Sequence, residues 1–418
     1  MAATGRNTLA QRLRSLGTFD SFRVPAYRML FLGMIGQWAS FSMESVARSY
    51  LVYDITGSKA KLGLVALAGG IPALALALFG GAFADRMPKK TLIQISQVVM
   101  TAVSVGTAVV IQVGYLTPAH PESWWVLVVG GFLMGMVMAM SMPSRMSIIP
   151  ELVEREQIMN AVSLNTLGMS FFQLVGPAVA GYVIDWFGYA MVYYIMSAIQ
   201  GAAIIFTSFL PRVVPSRAAA KNVVAEVGEG LRYIGSHRLI LMVLVFYVGS
   251  MLLGMPYQML MPAFAKDILA VGVSGQGTLM SVSGLGALAA SLTLASLPSR
   301  RRGLILLLSN VLMGVALLIF AFSVSWTLSL CMMVLVGIGR TSNNTAGAAL
   351  LQTHVEPAYL GRVMSIMTMN MGLSSLGTFF AGMLAESFSV QWAVGGLAIA
   401  LMGLSVFGLI PRMVRKLE

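Results

Sequence analysis

Gly81-Ala82-Phe83-Ala84-Asp85-Arg86-Met87-Pro88-Lys89-Lys90 is a short charged interruption between two long apolar runs. A small-residue helix end passes into one acid and several bases. The flanking segments, near 62–84 and 91–113, are each long enough to cross roughly 30 Å of hydrocarbon at about 1.5 Å per helical residue. The stretch therefore reads as a loop joining two membrane spans.

Working outward, Gly, Pro and charged clusters divide the rest of the chain in the same way. Further spans fall near 27–53, 124–143, 158–184 and 189–210, and then near 240–264, 275–297, 303–323, 326–349, 362–385 and 391–411. The expected fold is an all-α membrane protein of twelve transmembrane helices in two six-helix bundles. Its parts are a tail at 1–26, a first bundle at 27–210, a linker at 211–239, a second bundle at 240–411 and a tail at 412–418. Composition agrees: 57% of the 418 residues are hydrophobic and 10% are charged, too few polar side chains to clothe a soluble surface. Mean hydropathy is +0.83.

A net charge of +12 would suit nucleic acid only if the bases lined one face. Instead, alternating the spans across a membrane puts 23 of the 27 Lys and Arg residues on one side, leaving Lys59, Lys61 and Lys266 on the other and Arg48 inside a span. That positive-inside bias assigns both termini to the cytoplasm and the excess charge to contact with anionic lipid. Trp124, Trp125, Trp186, Trp326 and Trp392 fall at the opposite ends of their spans, as amphipathic rings do at headgroup level, and Trp38 lies within one. Met1 to Ala26 holds four arginines and no short apolar stretch with a cleavage site, so no removable leader is expected. Cys331, the single cysteine, excludes an intrachain disulfide and reads as a packing residue.

The halves repeat one another. Val153-Glu154 with Ala161-Val162-Ser163 recurs as Val355-Glu356 with Val363-Met364-Ser365, an offset of 202 residues, and the bases after the second span recur at Arg300 to Arg302. A duplicated bundle is the reading that explains both.

With spans assigned, the opening loop resembles the signature G-x-x-x-D-R-x-x-[KR]-[KR] of the major facilitator superfamily, with Pro88 where that family usually has glycine. Tyr50-Leu51-Val52-Tyr53-Asp54-Ile55-Thr56-Gly57-Ser58, Ile149-Pro150-Glu151-Leu152-Val153 and Gly361-Arg362-Val363-Met364-Ser365 resemble its drug and siderophore exporter branch, which holds macrolide efflux proteins and the enterobactin exporter. The resemblance implies a pseudo-symmetric fold and alternating access. It also implies a gating loop at Gly81, Asp85, Arg86, Lys89 and Lys90, which in the family meets the eleventh span in the outward-open state. In the fifth span Gly168, Gly176, Pro177 and Gly181 partly match the antiporter motif of the family; small residues at a helix crossing account for them equally.

Once the loops are assigned, Glu44 and Arg48 are the charged residues expected inside the membrane, four apart on one helical face. With Gln37 and Ser40 they form a polar stripe expected to face a central cavity. Two roles stay open for the pair: a proton or cargo site, and a permanently ionised structural pair. The fourth span, read as Trp125 to Met142, has no arginine of the kind many drug–proton antiporters place there. Gln37, Trp38, Phe41, Gln173, Gln200, Tyr247, Tyr257, Gln258, Asn310 and Asn370 are the other candidates to line the cavity, each with a packing role as its alternative. They outline a mostly neutral pocket, and with 32 methionines it should favour bulky amphipathic molecules over sugars or small anions.

The expected function is a monomeric, proton-driven exporter of amphipathic drugs or siderophores in a bacterial inner membrane, contacting lipid and cargo but no nucleic acid, and using no cofactor or metal. A lipid or lysolipid translocator of the same fold is the near alternative, and an uncoupled channel or receptor the distant one. An enzyme is not expected: His120, His237 and His354 are scattered, and no G-x-x-x-x-G-K-[ST] segment occurs.

Overall fold

A computed structural model describes residues 20–211, 223–296 and 302–409, and every regular element in them is helical. Helix α1, Pro25–Thr56, opens with a proline where no helical donor is lost and closes on Gly57, whose left-handed backbone (φ 61°) lets its N–H reach Tyr53 O at 2.8 Å. Helices α2 (Lys59–Arg86) and α3 (Lys89–Gln112) follow, separated by Met87 and Pro88 alone. Next come α4 (Trp125–Leu152), α5 (Ile158–Phe187) and α6 (Tyr189–Ser208). Pro143, Pro150 and Pro177 lie inside α4 and α5 without ending them.

The linker region carries α7, Val223–Ser236, while residues 212–222 lie outside the described ones. The seventh long segment is interrupted: α8 (Arg238–Gly249) runs into a π-helical turn at Ser250–Gly254, then α9 (Tyr257–Ala263) and a second π-helical turn at Phe264–Ile268. The chain continues through α10 (Gly272–Ser296), α11 (Arg302–Phe322), α12 (Trp326–His354), α13 (Pro357–Thr368), α14 (Asn370–Ser387) and α15 (Val390–Leu409).

Nine segments among the described residues are long and apolar enough to cross a membrane. Helices α1 and α12 and the broken pair α13 and α14 are of similar length but fall outside that set. Their polarity is informative, because side chains that would be costly against lipid need water, protein or a ligand instead.

In the first half α1 packs on α5 and α6, α2 on α4, and α3 on α4 and α6; in the second, α12 packs on α10 and α11, and α15 on α11 and α14. The halves meet along two crossings, α2 with α14 and α5 with α10. Both are lined by glycine at backbone contact. A Cβ on Gly181 would stand 2.7 Å from Val273 O, and one on Gly382 would stand 2.7 Å from Lys59 O.

Polar ties between the halves gather towards one end. Lys266 Nζ donates to Asp54 Oδ1 at 2.5 Å, Tyr53 OH donates to Asp267, and Glu386 Oε2 accepts from the backbone of Lys59 (2.7 Å) and Ala60 (3.3 Å) at the start of α2. Deeper in, Gln276 Nε2 donates to Ser49 Oγ at 2.9 Å and Ala178 N to Ser281 Oγ at 3.0 Å. Among the described residues, no comparable set joins the halves at the end carrying Lys89 and Glu151.

Candidate transport site

Glu44 lies on α1 with 5% of its surface exposed, and the Nε of Arg48, one turn on, is 3.6 Å from its Oε1. The predicted proximity is therefore realised. The stripe they belong to faces differently from expectation. Gln37, Ser40 and Glu44 are all buried, with Ser40 Oγ donating to Met196 O of α6 and Gln37 reaching Met100 of α3. These groups point into the first bundle, while Phe41 is exposed and Arg48 is half-buried at the bundle's edge.

The largest correction concerns charge inside the helices. Helix α4 continues ten residues beyond Met142 to Leu152, and its Arg145 is buried at 3% exposure. Arg145 Nη2 donates to Gln37 Oε1 at 2.8 Å and to Ser96 Oγ at 2.7 Å, tying α4 to α1 and α3. Its Nε and Nη1 have no acceptor. Helix α12 carries a second overlooked cation, Arg340, half-buried and 14 residues from either end of a helix spanning 326–354. Among the described residues the long helices thus carry Glu44 and three arginines well inside their ends, more charge than the single pair expected within the membrane.

The other candidates separate into packing and potential lining. Trp38 fills the space over Gly168 and stacks edge-on against Phe31, and Gly176 is the close contact for Ser42, so this part of the α5 motif serves the α1–α5 crossing. Gln200 and Asn310 are fully buried; Asn310 Oδ1 accepts from Asn343 Nδ2 at 2.7 Å, an α11–α12 clasp. Gln258 is half-buried and bonds the buried Tyr257, Gln173 is half-buried on α5, and Tyr247 donates to the exposed Asn344 at 3.2 Å. Cys331 is exposed on α12 rather than packed inside.

Of the loop motif, Gly81, Asp85 and Arg86 lie outside the described side chains, as does Asn370. Its lysines work within the first half: Lys89 pairs with Glu151 of α4, and Lys90 Nζ reaches Ser208 O and Leu210 O, each at 2.6 Å, at the end of α6. Lysine at a helix C-terminus satisfies carbonyls that the helix itself cannot. Arg362, in the second half, pairs with Glu229 of the linker helix at 2.6 Å.

Two helical halves meeting at glycine-lined crossings, with polar central helices, define a major facilitator transporter. The family described as transmembrane secretion effectors matches residues 16–418, and the chain belongs to it. A staphyloferrin A transporter of Staphylococcus aureus is 23% identical over 86% of this chain and 88% of its own length. An enterobactin exporter, EntS, of Shigella boydii is 26% identical over 82% and 81%. Among solved structures, the nucleoside transporter NupG superposes with a TM-score of 0.70 at 18% identity, covering 92% of this chain and 98% of that one. A peptide transporter superposes with a TM-score of 0.73 at 12% identity over 94% and 95%. These likenesses place the fold and mark the chain as a transporter rather than an enzyme.

Proposed function

We propose that this transporter is a secondary active exporter of amphipathic small molecules, siderophores or drugs, driven by the proton gradient across a bacterial inner membrane. The observation that carries the reading is the set of cross-half ties from Asp54–Lys266 to Ala178–Ser281, which among the described residues gathers towards one end. Partly exposed ion pairs and a few hydrogen bonds part at modest cost, so rocking the halves about the glycine crossings would open that end and close the other. The distribution of basic residues favours an external position for the tied end. The site then faces the cytoplasm, where an exporter loads.

Glu44 is the proton carrier in this account. A carboxyl whose surroundings alternate between protein and water binds and releases a proton as they change, and Arg48 supplies the charge that makes release favourable. Monomeric halves suffice for this cycle, with no cofactor. The siderophore transport and export named for two relatives belong to those proteins and favour the same cargo class here.

The test is reconstitution into proteoliposomes under an imposed pH gradient, with a panel of siderophores and amphipathic drugs offered on one side. Cargo-dependent proton movement supports the reading. A second reading, translocation of a lipid or lysolipid, draws on an apolar groove of about 500 Å³ along α5 between Leu174 and Trp186. Movement of a lysolipid alone would favour it.

A further inference from the structure

We infer that Arg340 is the binding point for an acidic group on the cargo, so that the molecule transported is an amphipathic carboxylate rather than a neutral or cationic compound. The inference rests on the transport reading and adds to it the charge of the cargo.

Position comes first. Arg340 is the central residue of α12, about 21 Å of helix from each end, the depth at which alternating-access carriers hold their substrates. Its helix is clamped on one side by α11, through Asn343 on Asn310, and it approaches α8 through Asn344 on Tyr247. Beyond Arg340 the exposed residues of α12 are Asn344, Thr345, Gln352, Thr353 and His354, all polar. The exposed large hydrophobic residues of the neighbouring α11 and α15 include Leu308, Val315, Ile319, Ile399, Val406 and Phe407. Lipid suits the second set; the first belongs to a water-accessible cleft.

Charge singles out Arg340 from the other two interior arginines. Arg48 is matched by Glu44, and Arg145 is sealed at 3% exposure with Gln37 and Ser96 as its acceptors. Arg340 is half-buried, and no described residue gives it an ion pair or hydrogen bond. An unmatched guanidinium at mid-membrane depth is costly, and a carboxylate is the group its planar fork binds best. Asn344, one turn on and on the same helical face, has amide donors to add to the coordination of an oxyanion. The apolar body of the cargo would lie against methionine and aromatic side chains, as expected from composition.

The test measures equilibrium binding of 2-naphthoate and of its neutral isostere 2-naphthamide to the full-length protein in lipid nanodiscs. Wild type should prefer the naphthoate, Arg340→Gln should weaken naphthoate at least about tenfold, Arg340→Lys should keep part of the preference, and the amide should bind all three alike. Equal naphthoate binding by wild type and Arg340→Gln, or no preference in wild type, overturns the inference. If Arg340→Gln does not fold, phenylglyoxal labelling of Arg340 in wild type decides: protection by naphthoate and not by the amide supports the site, and absence of protection refutes it. Anion preference without transport would keep the site and remove the exporter reading. Unaltered transport of neutral amphiphiles by Arg340→Gln, without anion preference, would do the reverse.

Discussion

Lys266 Nζ stands 2.5 Å from Asp54 Oδ1, joining the last turn of α1 to the π-helical end of the seventh segment, and thereby one half of the transporter to the other. Asp54 also accepts from Tyr189 OH at 3.3 Å, so the same carboxylate braces the first bundle.

Asp54→Asn should loosen this end. Both partners are partly exposed, at 43% for Lys266 and 29% for Asp54, so the pair is worth about 0.2–1 kcal/mol after screening. Electron–electron resonance distances between labels at Ser58 and Ala270, with Cys331 replaced by serine, should gain a longer population. High salt should produce the same shift in wild type. Identical distance distributions in variant and wild type would show that the pair does not hold the gate.

Gly277→Val attacks the same closure by volume instead of charge. A side chain there would run into the backbone of Pro177 across the α5–α10 crossing, whereas Gly201 has nothing within 4 Å of where a Cβ would stand. The valine variant should lose transport and favour an open outer end by the same distance measurement, and Gly201→Ala should behave as wild type. Full transport by Gly277→Val would mean that this crossing does not close tightly in the working cycle.

Arg145→Leu should lower thermal stability in the membrane, since it strands Gln37 and Ser96 in a buried site. Interhelical hydrogen bonds in bilayers are worth about 1–2 kcal/mol each at most, so a loss of several degrees in Tm is expected. The paired replacement Arg145→Leu with Gln37→Leu should recover part of it, because one of the two stranded acceptors is then removed. A double variant less stable than the single one would contradict a structural role.

Nine of the spans, the helical character of the others and the first-helix charge pair were legible because run length and i,i+4 spacing are one-dimensional signatures. Arg145 escaped because Pro143 looked like the end of the fourth span. The helix runs through that proline, which removes one backbone bond without stopping the chain's course. Arg340 lay within the span read as 326–349, but the inside-positive count grouped it with the loop bases; the polar run Thr341-Ser342-Asn343-Asn344-Thr345 beside it was the signal of a non-lipid face. The direction of the α1 stripe could not be read from α1 alone. It depends on Met196 and Met100 from distant helices, which draw Ser40 and Gln37 inward.

The most direct test of the coupling claim is proton movement in proteoliposomes holding wild type or Glu44→Gln, with a transported cargo offered under an imposed pH gradient. The account predicts cargo-dependent proton flux in wild type and its loss in the variant, with the variant still folded and still binding cargo. Proton flux and cargo movement unchanged in Glu44→Gln would contradict it and leave Glu44 and Arg48 as a structural pair.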